Sequence, residues 1–304
     1  MTTRADIEPS TPRDLVARIR AYGSMVAFAH TVFALPFAAS AVVLAQRDPN
    51  RVPLTLGRVA AMLVCMVAAR TSAMAFNRWA DRDIDALNPR TRTRHVPTGA
   101  VKPGEALALA LGSGAAFLLC ACTLGFWPAV LSPAVLAILL GYSLAKRFTW
   151  GAHAWLGVAL ALAPGGAWIA AGAAPSAGIV ALMIGVVTWL LGFDVLYSLQ
   201  DERFDREHGL RSIPARFGTT GALVISAAAH VATVAAFVTC AIVLHRGPFF
   251  FGGVAICAAI LAYEHLLVGK GNLAKIDKAF FDANAWVSVA FFACTLIDGL
   301  TRSA

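Results

Sequence analysis

Two short stretches of this chain carry side chains able to do chemistry together. The first reads Asn77-x-x-x-Asp81-x-x-x-Asp85 and the second Tyr197-x-x-x-Asp201-x-x-x-Asp205. On a helix, residues four apart share a face, so each stretch presents two carboxylates one turn apart. Arg70 lies seven residues before Asn77 and Asp194 three before Tyr197, which extends both faces inward. Asp83, two residues from each neighbour, points elsewhere. A stacked carboxylate pair can share a divalent cation or bridge two. Mg²⁺ suits such a pair, because it takes carboxylate oxygens, keeps water and is commonly held jointly with substrate phosphates. Two ledges facing each other would clamp a diphosphate. Arg94, Lys146, Arg147 and Arg211 can reach phosphate oxygens, arginine through its planar fork and lysine as a point charge. Metal and cations together would stabilise a pyrophosphate leaving group as negative charge develops on it.

A single ledge of this kind at a membrane surface reads equally well as a solvated acidic face. Recurrence favours the metal. Each ledge is followed by a similar basic segment, Arg94-His-Val-Pro97 in one case and Arg211-Ser-Ile-Pro214 in the other, as expected of an internal duplication of a four-helix unit.

The elements that must position these ledges are membrane helices. Of the 304 residues, 59% are hydrophobic and 14% charged, and the mean hydropathy is +0.70; a soluble domain is about half apolar and about a quarter charged. Runs such as Ala106 to Val130 and Gly178 to Phe193 hold no charge, and about 20 apolar residues cross a bilayer. The pattern predicts nine spans: Tyr22–Ala45, Leu54–Phe76, Ala106–Gly125, Pro128–Ala145, Ala152–Gly172, Ala177–Leu199, Gly221–Leu244, Phe249–Val268 and Ala283–Leu300. Residues 1–21 form a polar N-terminal segment with no secretory-signal pattern, and 22–304 form one membrane domain. Nineteen of the 25 lysines and arginines fall in the N-terminal segment and the even-to-odd connections, and five on the other side. By the positive-inside rule the N-terminus and both ledges are cytoplasmic, in the inner membrane of the cell, with the C-terminus opposite. The net charge of +8 therefore marks topology and phosphate contacts and excludes nucleic acid as a partner. Arg70 is left over inside the second span, where a charged residue is costly and faces a cavity or a partner.

Other residues read as structural. The six cysteines fall in apolar runs and behave as small buried hydrophobes; Cys120 and Cys122, two apart, face different ways and make a poor ligand pair. His30 reads as a satisfied structural histidine and Tyr142 as an interfacial aromatic. Trp127, Trp150, Trp155, Trp168, Trp189 and Trp286 read as span-end residues without special role.

The two ledges at these positions, the Tyr142-x-x-x-Lys146-Arg147-Phe-Thr stretch and the nine-span count resemble the UbiA superfamily of intramembrane prenyltransferases over nearly the whole chain. The resemblance implies an all-α polytopic membrane protein whose helices surround a central cavity, capped by two aspartate-rich loops and open sideways to membrane lipid. It implies that Asp81 and Asp85, assisted by Asn77, bind one Mg²⁺, and that Asp201 and Asp205 bind another. Lys146 and Arg147 match the family's basic pair near the diphosphate. Asp194 and Tyr197 match positions where the allylic carbon and the acceptor meet. The implied reaction ionises a polyprenyl diphosphate, and the ring carbon ortho to a hydroxyl attacks the cation. The stretches His30 to Pro36, Phe76-Asn77-Arg78 with Asn88-Pro-Arg-Thr91, and Asp201 to Phe217 are similar to the quinone-biosynthesis branch (ubiquinone or menaquinone). There the acceptor is an aromatic acid, either 4-hydroxybenzoate or, as the alternative, 1,4-dihydroxy-6-naphthoate of the futalosine route. Either carboxylate suits Arg70. A transporter is the rival of another class; the polar clusters lie at one face rather than at the midplane, which argues against it. A CDP-alcohol phosphotransferase needs an Asp-Gly pair and a nearby Ala-Arg that neither loop has.

Overall fold

The computed structural model describes residues 15–26, 31–268 and 276–301. The described residues are helical throughout their regular structure, with no strand. The helices are α1 (Leu15–Val26), α2 (Thr31–Ala45), α3 (Leu56–Ala80), α4 (Arg82–Leu87), α5 (Pro103–Leu124), α6 (Phe126–Ala145), α7 (Ala152–Ala170), α8 (Ala177–Ser198), α9 (Glu202–Glu207), α10 (Ile213–Val243), α11 (Pro248–Val268) and α12 (Ile276–Thr301).

Eight of these segments are long and apolar enough to cross a bilayer, and they match eight of the nine expected spans. The region of the ninth, Tyr22–Ala45, holds α1 and α2, of which Phe33–Ala45 is a shorter apolar helix. His30, Lys270, Lys275 and most of the N-terminal segment lie outside the described residues.

Boundaries shift where polar residues continue a helix past its apolar run. Helix α3 runs on to Ala80 and thereby carries Asn77 and Arg78 on regular helix. Helix α10 begins at Ile213, eight residues before the expected Gly221, because Ser212 caps its start by accepting from the Ala215 N–H at 3.3 Å and Pro214 sits in its first turn, where a proline costs no hydrogen bond. The chain kinks at Gly218, whose φ of 68° lies in a region that favours glycine.

Inside a bilayer, helices associate through close van der Waals contact, and small residues set how near they come. The antiparallel pair α8 and α10 shows this as a heptad register. Gly178, Gly185 and Gly192 of α8 lie against Leu244, Phe237 and His230 of α10 in turn, and a Cβ on any of the three glycines would fall within 2.4 Å of the opposing side chain. Repeats of seven keep one seam facing the partner, as in left-handed helix pairs. The largest core cluster joins α2, α7, α8, α10, α11 and α12. At its centre Trp189 packs edge-on against Phe33 and at a tilt against Phe37 and Phe193. Trp189 is fully buried, and its indole N–H donates to Asn284 Oδ1 at 2.9 Å. Its placement corrects the span-end reading: a polar partner on α12, remote in sequence, lets an indole sit in the interior. Trp168 is buried as well and donates to the Ala174 carbonyl at 2.8 Å. Cys122 is also corrected, being exposed, while Cys65, Cys240 and Cys257 are buried as expected.

At the end remote from the two ledges, arginines lock helix termini. Arg58 Nη1 donates to the Leu124 and Ala170 carbonyls at 3.0 and 2.6 Å, satisfying acceptors that the ends of α5 and α7 leave open. Arg246 and Asp298 form a fully buried ion pair at 2.8 Å.

Candidate active site

The site is built where α3 and α8 emerge from the apolar layer and each breaks its helix at an aspartate. Asp81 closes α3 with φ −92° and ψ 2°. Asp201, in the 3₁₀ turn Leu199–Asp201 that follows α8, has φ −101° and ψ 0° before α9 begins. Both fall in the sparsely populated bridge region where active-site residues recur. The two breaks are local copies of one another, as the repeated sequence pattern predicts. Each break redirects the chain, so the second aspartate of each ledge, Asp85 or Asp205, sits on a new short helix instead of continuing the old one.

On the first ledge both carboxylates are buried, each with 2% of its surface exposed. Lys146 Nζ lies 2.8 Å from Asp81 Oδ2 and Arg147 Nη2 3.5 Å from Oδ1. Asn77 Nδ2 donates to Asp81 Oδ2 at 3.1 Å. Asp85 accepts from Arg94 Nη1 on both oxygens, at 2.8 and 2.9 Å. A buried carboxylate is tolerated only when paired, and these pairs meet that need. Asp81 Oδ1 is the exception, buried without a hydrogen-bond donor.

The second ledge is tied to the first. Asn88 Nδ2 donates to Asp201 Oδ1 at 3.1 Å. Arg90 Nε donates to the same oxygen at 3.0 Å, and Arg90 Nη2 pairs with Oδ2. Arg90 Nη1 donates to the Tyr197 hydroxyl at 3.2 Å, and the guanidinium lies over the Tyr197 ring, 5.2 Å from its centroid. The planar fork of arginine fits a carboxylate in this bidentate way. Residues 88–90 therefore carry the first loop across to the second, and the two ledges face each other. Asp205 is partly buried beside them.

The basic residues expected around a diphosphate divide into two sets. Lys146, Arg147 and Arg94 stand at the carboxylates; Arg147 also donates to the Ala80 carbonyl. Arg211 instead pins the connection after α6: its N–H donates to the Lys146 carbonyl at 2.8 Å and its Nη1 to the Phe148 carbonyl at 2.5 Å. Arg211 so fixes the segment that carries Lys146 and Arg147. Among the described residues no three carboxylate, histidine or cysteine side chains converge as a closed metal cage. An open arrangement of one or two carboxylates per ion, completed by phosphate and water, is the one Mg²⁺ usually takes. The orphaned Asp81 oxygen and the partly exposed Asp201 and Asp205 fit that chemistry.

Deeper in, Arg70 stands on α3 and Tyr142 on α6, both partly buried. Asp194 lies one turn below Tyr197 on α8 and is bound by His153 at the start of α7: His153 Nδ1 is 2.6 Å from Asp194 Oδ2.

Sequence reasoning gave no site role to Asn88, Arg90, His153 or Arg78, whose Nη1 donates to Asn77 Oδ1 at 3.3 Å. Arg78, Asn88 and Arg90 figured in the stretches that carry the resemblance and among the positive charges, although the place of Arg90 nine residues after Asp81, like that of Arg94 after Asp85, is a clue. His153 lies 41 residues from its partner Asp194, and nothing local signals that contact.

The UbiA prenyltransferase family profile matches residues 33–293. A 4-hydroxybenzoate octaprenyltransferase of Aromatoleum aromaticum is 34% identical over 238 residues, covering 76% of this chain and 78% of the relative. The enzyme of that name from Pseudomonas fluorescens is 30% identical, covering 78% and 79%. Among solved structures, the apo form of a UbiA homologue from Aeropyrum pernix superposes with a TM-score of 0.80 at 36% identity, covering 88% of this chain and 98% of that one. A UbiA homologue from Archaeoglobus fulgidus bound to geranyl diphosphate and Mg²⁺ shares the fold at a TM-score of 0.65 and 19% identity, covering 92% and 98%. With the fold, the paired aspartate ledges and these likenesses together, the chain belongs to the UbiA prenyltransferase family.

Proposed function

We propose that this protein transfers a polyprenyl group from polyprenyl diphosphate to the ring of 4-hydroxybenzoate, with the two ledges and the acceptor cavity on the cytoplasmic side of the inner membrane. The observation that carries the reading is the tie of residues 88–90 to Asp201, which brings the two aspartate ledges together, with Lys146 on Asp81. The names of the relatives support the acceptor.

Asn77, Asp81 and Asp85 would hold one Mg²⁺, and Asp201 and Asp205 a second. Bound there, Mg²⁺ supplies Lewis-acid neutralisation of the diphosphate. The protein's own cations do the rest. Lys146 compensates Asp81, Arg94 compensates Asp85 and Arg90 compensates Asp201. With Mg²⁺ held by the carboxylates, these cations would serve the phosphate oxygens, which arginine forks bind in pairs of hydrogen bonds. Arg211 keeps Lys146 and Arg147 in reach. Charge developing on the leaving diphosphate is then met by fixed cations in a site of low dielectric, where each counts for more than in water.

The allylic cation forms one turn beneath, beside Tyr197 and Asp194. Arg70 binds the acceptor carboxylate from below, and Asp194 takes the proton that the ring gives up. The isoprenoid tail lies along the apolar helices toward lipid.

An in-membrane assay with geranyl diphosphate, Mg²⁺ and either 4-hydroxybenzoate or 1,4-dihydroxy-6-naphthoate, read by mass spectrometry, tests this. A prenylated 4-hydroxybenzoate, lost with EDTA and regained with Mg²⁺, is the expected outcome. Product from the naphthoate alone would overturn the acceptor, and chelator-resistant turnover would overturn the metal.

A further inference from the structure

A histidine outside both aspartate ledges controls one of the cavity carboxylates. His153 is the second residue of α7, with 7% of its surface exposed. It reaches Asp194 because Gly157, one turn on, lets α7 lie against the backbone of α8. A Cβ at Gly157 would stand 2.6 Å from the Val187 carbonyl oxygen.

Both ring nitrogens of His153 are engaged, and the partners fix its tautomer. Nε2 faces the backbone N–H of Ile213 at 3.4 Å. That N–H belongs to the first turn of α10, whose donors have no intrahelical partner; the Ser212 side chain serves Ala215 instead, and Pro214 has no N–H to offer. An N–H pointing at Nε2 requires a lone pair there, so the ring proton resides on Nδ1 and is donated to Asp194 Oδ2, 2.6 Å away. The chain start of α10 thus orients a neutral imidazole, and the imidazole orients the carboxylate. The contact engages Oδ2 alone, so Oδ1 is left to a substrate, and the Asp194 side chain is 23% exposed.

We infer that His153 is a positioning residue that holds Asp194 ready to accept the acceptor's ring proton through Oδ1. The inference rests on the prenyl-transfer reading above and extends it. In the step concerned, the allylic C–O bond breaks and its electron pair leaves with the diphosphate. A π pair of the ring forms the new C–C bond. The hydrogen on that ring carbon then leaves as a proton, its bonding pair restores the aromatic ring, and Asp194 Oδ1 takes the proton and passes it to water. Orientation by a hydrogen-bonded second group is the usual way a proton acceptor is held in line with its target.

The test uses the full chain in membranes with two variants. His153→Leu fills the space but has no donor. His153→Asn places an amide N–H near the former Nδ1, keeping the donor to Asp194 while losing the contact to Ile213. His153→Leu is expected to lower kcat by about 10- to 100-fold, the usual effect of removing an orienting partner. Its KM for prenyl diphosphate and for acceptor should stay within about twofold, since an interaction made only in the chemical step moves kcat alone. The kinetic isotope effect with ring-deuterated 4-hydroxybenzoate should rise above that of the wild type, as proton removal becomes slow. His153→Asn should recover most of the lost kcat. Equal kcat and isotope effect in His153→Leu and wild type would overturn the role while leaving the prenyl-transfer reading intact. A loss in His153→Asn as deep as in His153→Leu would assign His153 to capping α10 instead. A wild-type protein that prenylates no hydroxyaryl acid would overturn the reading and this role together.

Discussion

The two aspartate loops start from almost the same sequence pattern and end in different electrostatic states. Both break their helix at the first aspartate with nearly the same backbone angles. Yet on the first loop Asp81 and Asp85 are buried and held by three cations from two places: Lys146 and Arg147 after α6, and Arg94 from its own loop. On the second loop Asp201 is held by Arg90 and Asn88, both lent by the first loop, and Asp205 is partly exposed. The two loops share backbone and carboxylates but not the use of their cations: Arg94 pairs with Asp85, whereas Arg211, at the equivalent place, donates to the Lys146 and Phe148 carbonyls. Asp201 is therefore held from the first loop, while Asp81 and Asp85 are held without the second.

The largest effect should come from removing either leading carboxylate. Asp81→Ala and Asp201→Ala are each expected to cut kcat/KM on the order of a thousandfold, as loss of a group that organises the charged transition state commonly does. The comparison separates them by stability. Asp81→Ala takes out a buried carboxylate to which partly buried Lys146 and Asn77 are bound and should lower the thermal midpoint, because those partners lose their hydrogen bonds to a charged group. The more exposed Asp201 should lower it less. Near-normal turnover in both variants would remove the two-ledge clamp.

Arg90 is the residue on which the asymmetry turns. Arg90→Ala should weaken prenyl diphosphate binding by about 10- to 100-fold, as loss of an outer partner at a metal site does, although Arg90 belongs to the first loop and touches the second. Arg90→Lys should restore little, because a point charge cannot reproduce the fork on Asp201 and the contact with Tyr197. Limited proteolysis would read the coupling directly. In Arg90→Ala the α9 segment should be cut faster, whereas Arg94→Ala, which acts within the first loop, should leave α9 protected. Equal protection in the two variants would mean the loops are independent.

Much of this was legible in the sequence, because membrane spans and helical spacing are local properties. Runs of 20 apolar residues give helices almost irrespective of what packs on them, so eight of the expected spans match helices of crossing length. The four-residue spacing of the aspartates declares that they lie near one another, but not the break at Asp81 and Asp201 that puts the second aspartate of each pair on a new short helix. What stayed hidden depends on pairs distant along the chain. Trp189 looks like a span-end aromatic until Asn284 on α12 is seen to accept its N–H. His153 looks like a residue of a helix start until Asp194 is seen beside it. Arg90 looks like one more positive charge in a basic loop. Hydropathy also hid the two far-end arginines: Arg58 and Arg246 read as the sparse charges of the opposite face, yet each locks helix ends from a largely buried place. Exposure of Cys122 was hidden for the converse reason, since lipid-facing and core-facing positions of a membrane helix have the same polarity.

Below the ledges the comparison extends to Arg70 and Asp194, which lie inward of the first and second ledge respectively. Arg70→Ala should raise the KM for 4-hydroxybenzoate by about tenfold while the KM for prenyl diphosphate changes less than about twofold, since a charge-assisted contact to a ligand carboxylate contributes about 1.5–3 kcal/mol. Equal increases in both KM values would detach Arg70 from the acceptor. Asp194 should show the opposite pattern, with kcat falling and both KM values held, because a proton acceptor acts after both substrates are bound.

The smallest and most discriminating effect is expected at the two positions that open the ledges, Asn77 and Tyr197. They occupy equivalent places, four residues before Asp81 and Asp201, but their contacts differ. Asn77 donates directly to the Asp81 carboxylate, while the Tyr197 hydroxyl accepts from Arg90 and touches its aspartate only through that arginine. Asn77→Ala should therefore lower Mg²⁺ affinity by about tenfold, the scale of one hydrogen bond to a charged group. Tyr197→Phe keeps the ring beneath the Arg90 guanidinium and loses only the hydroxyl contact, so about a two- to fivefold change is expected, the scale of a neutral acceptor. Titration of Mg²⁺ into prenylation assays at fixed diphosphate reads both. A larger loss in Tyr197→Phe than in Asn77→Ala would show that the second loop holds its own metal without the first, and that the asymmetry drawn from Arg90 does not govern binding.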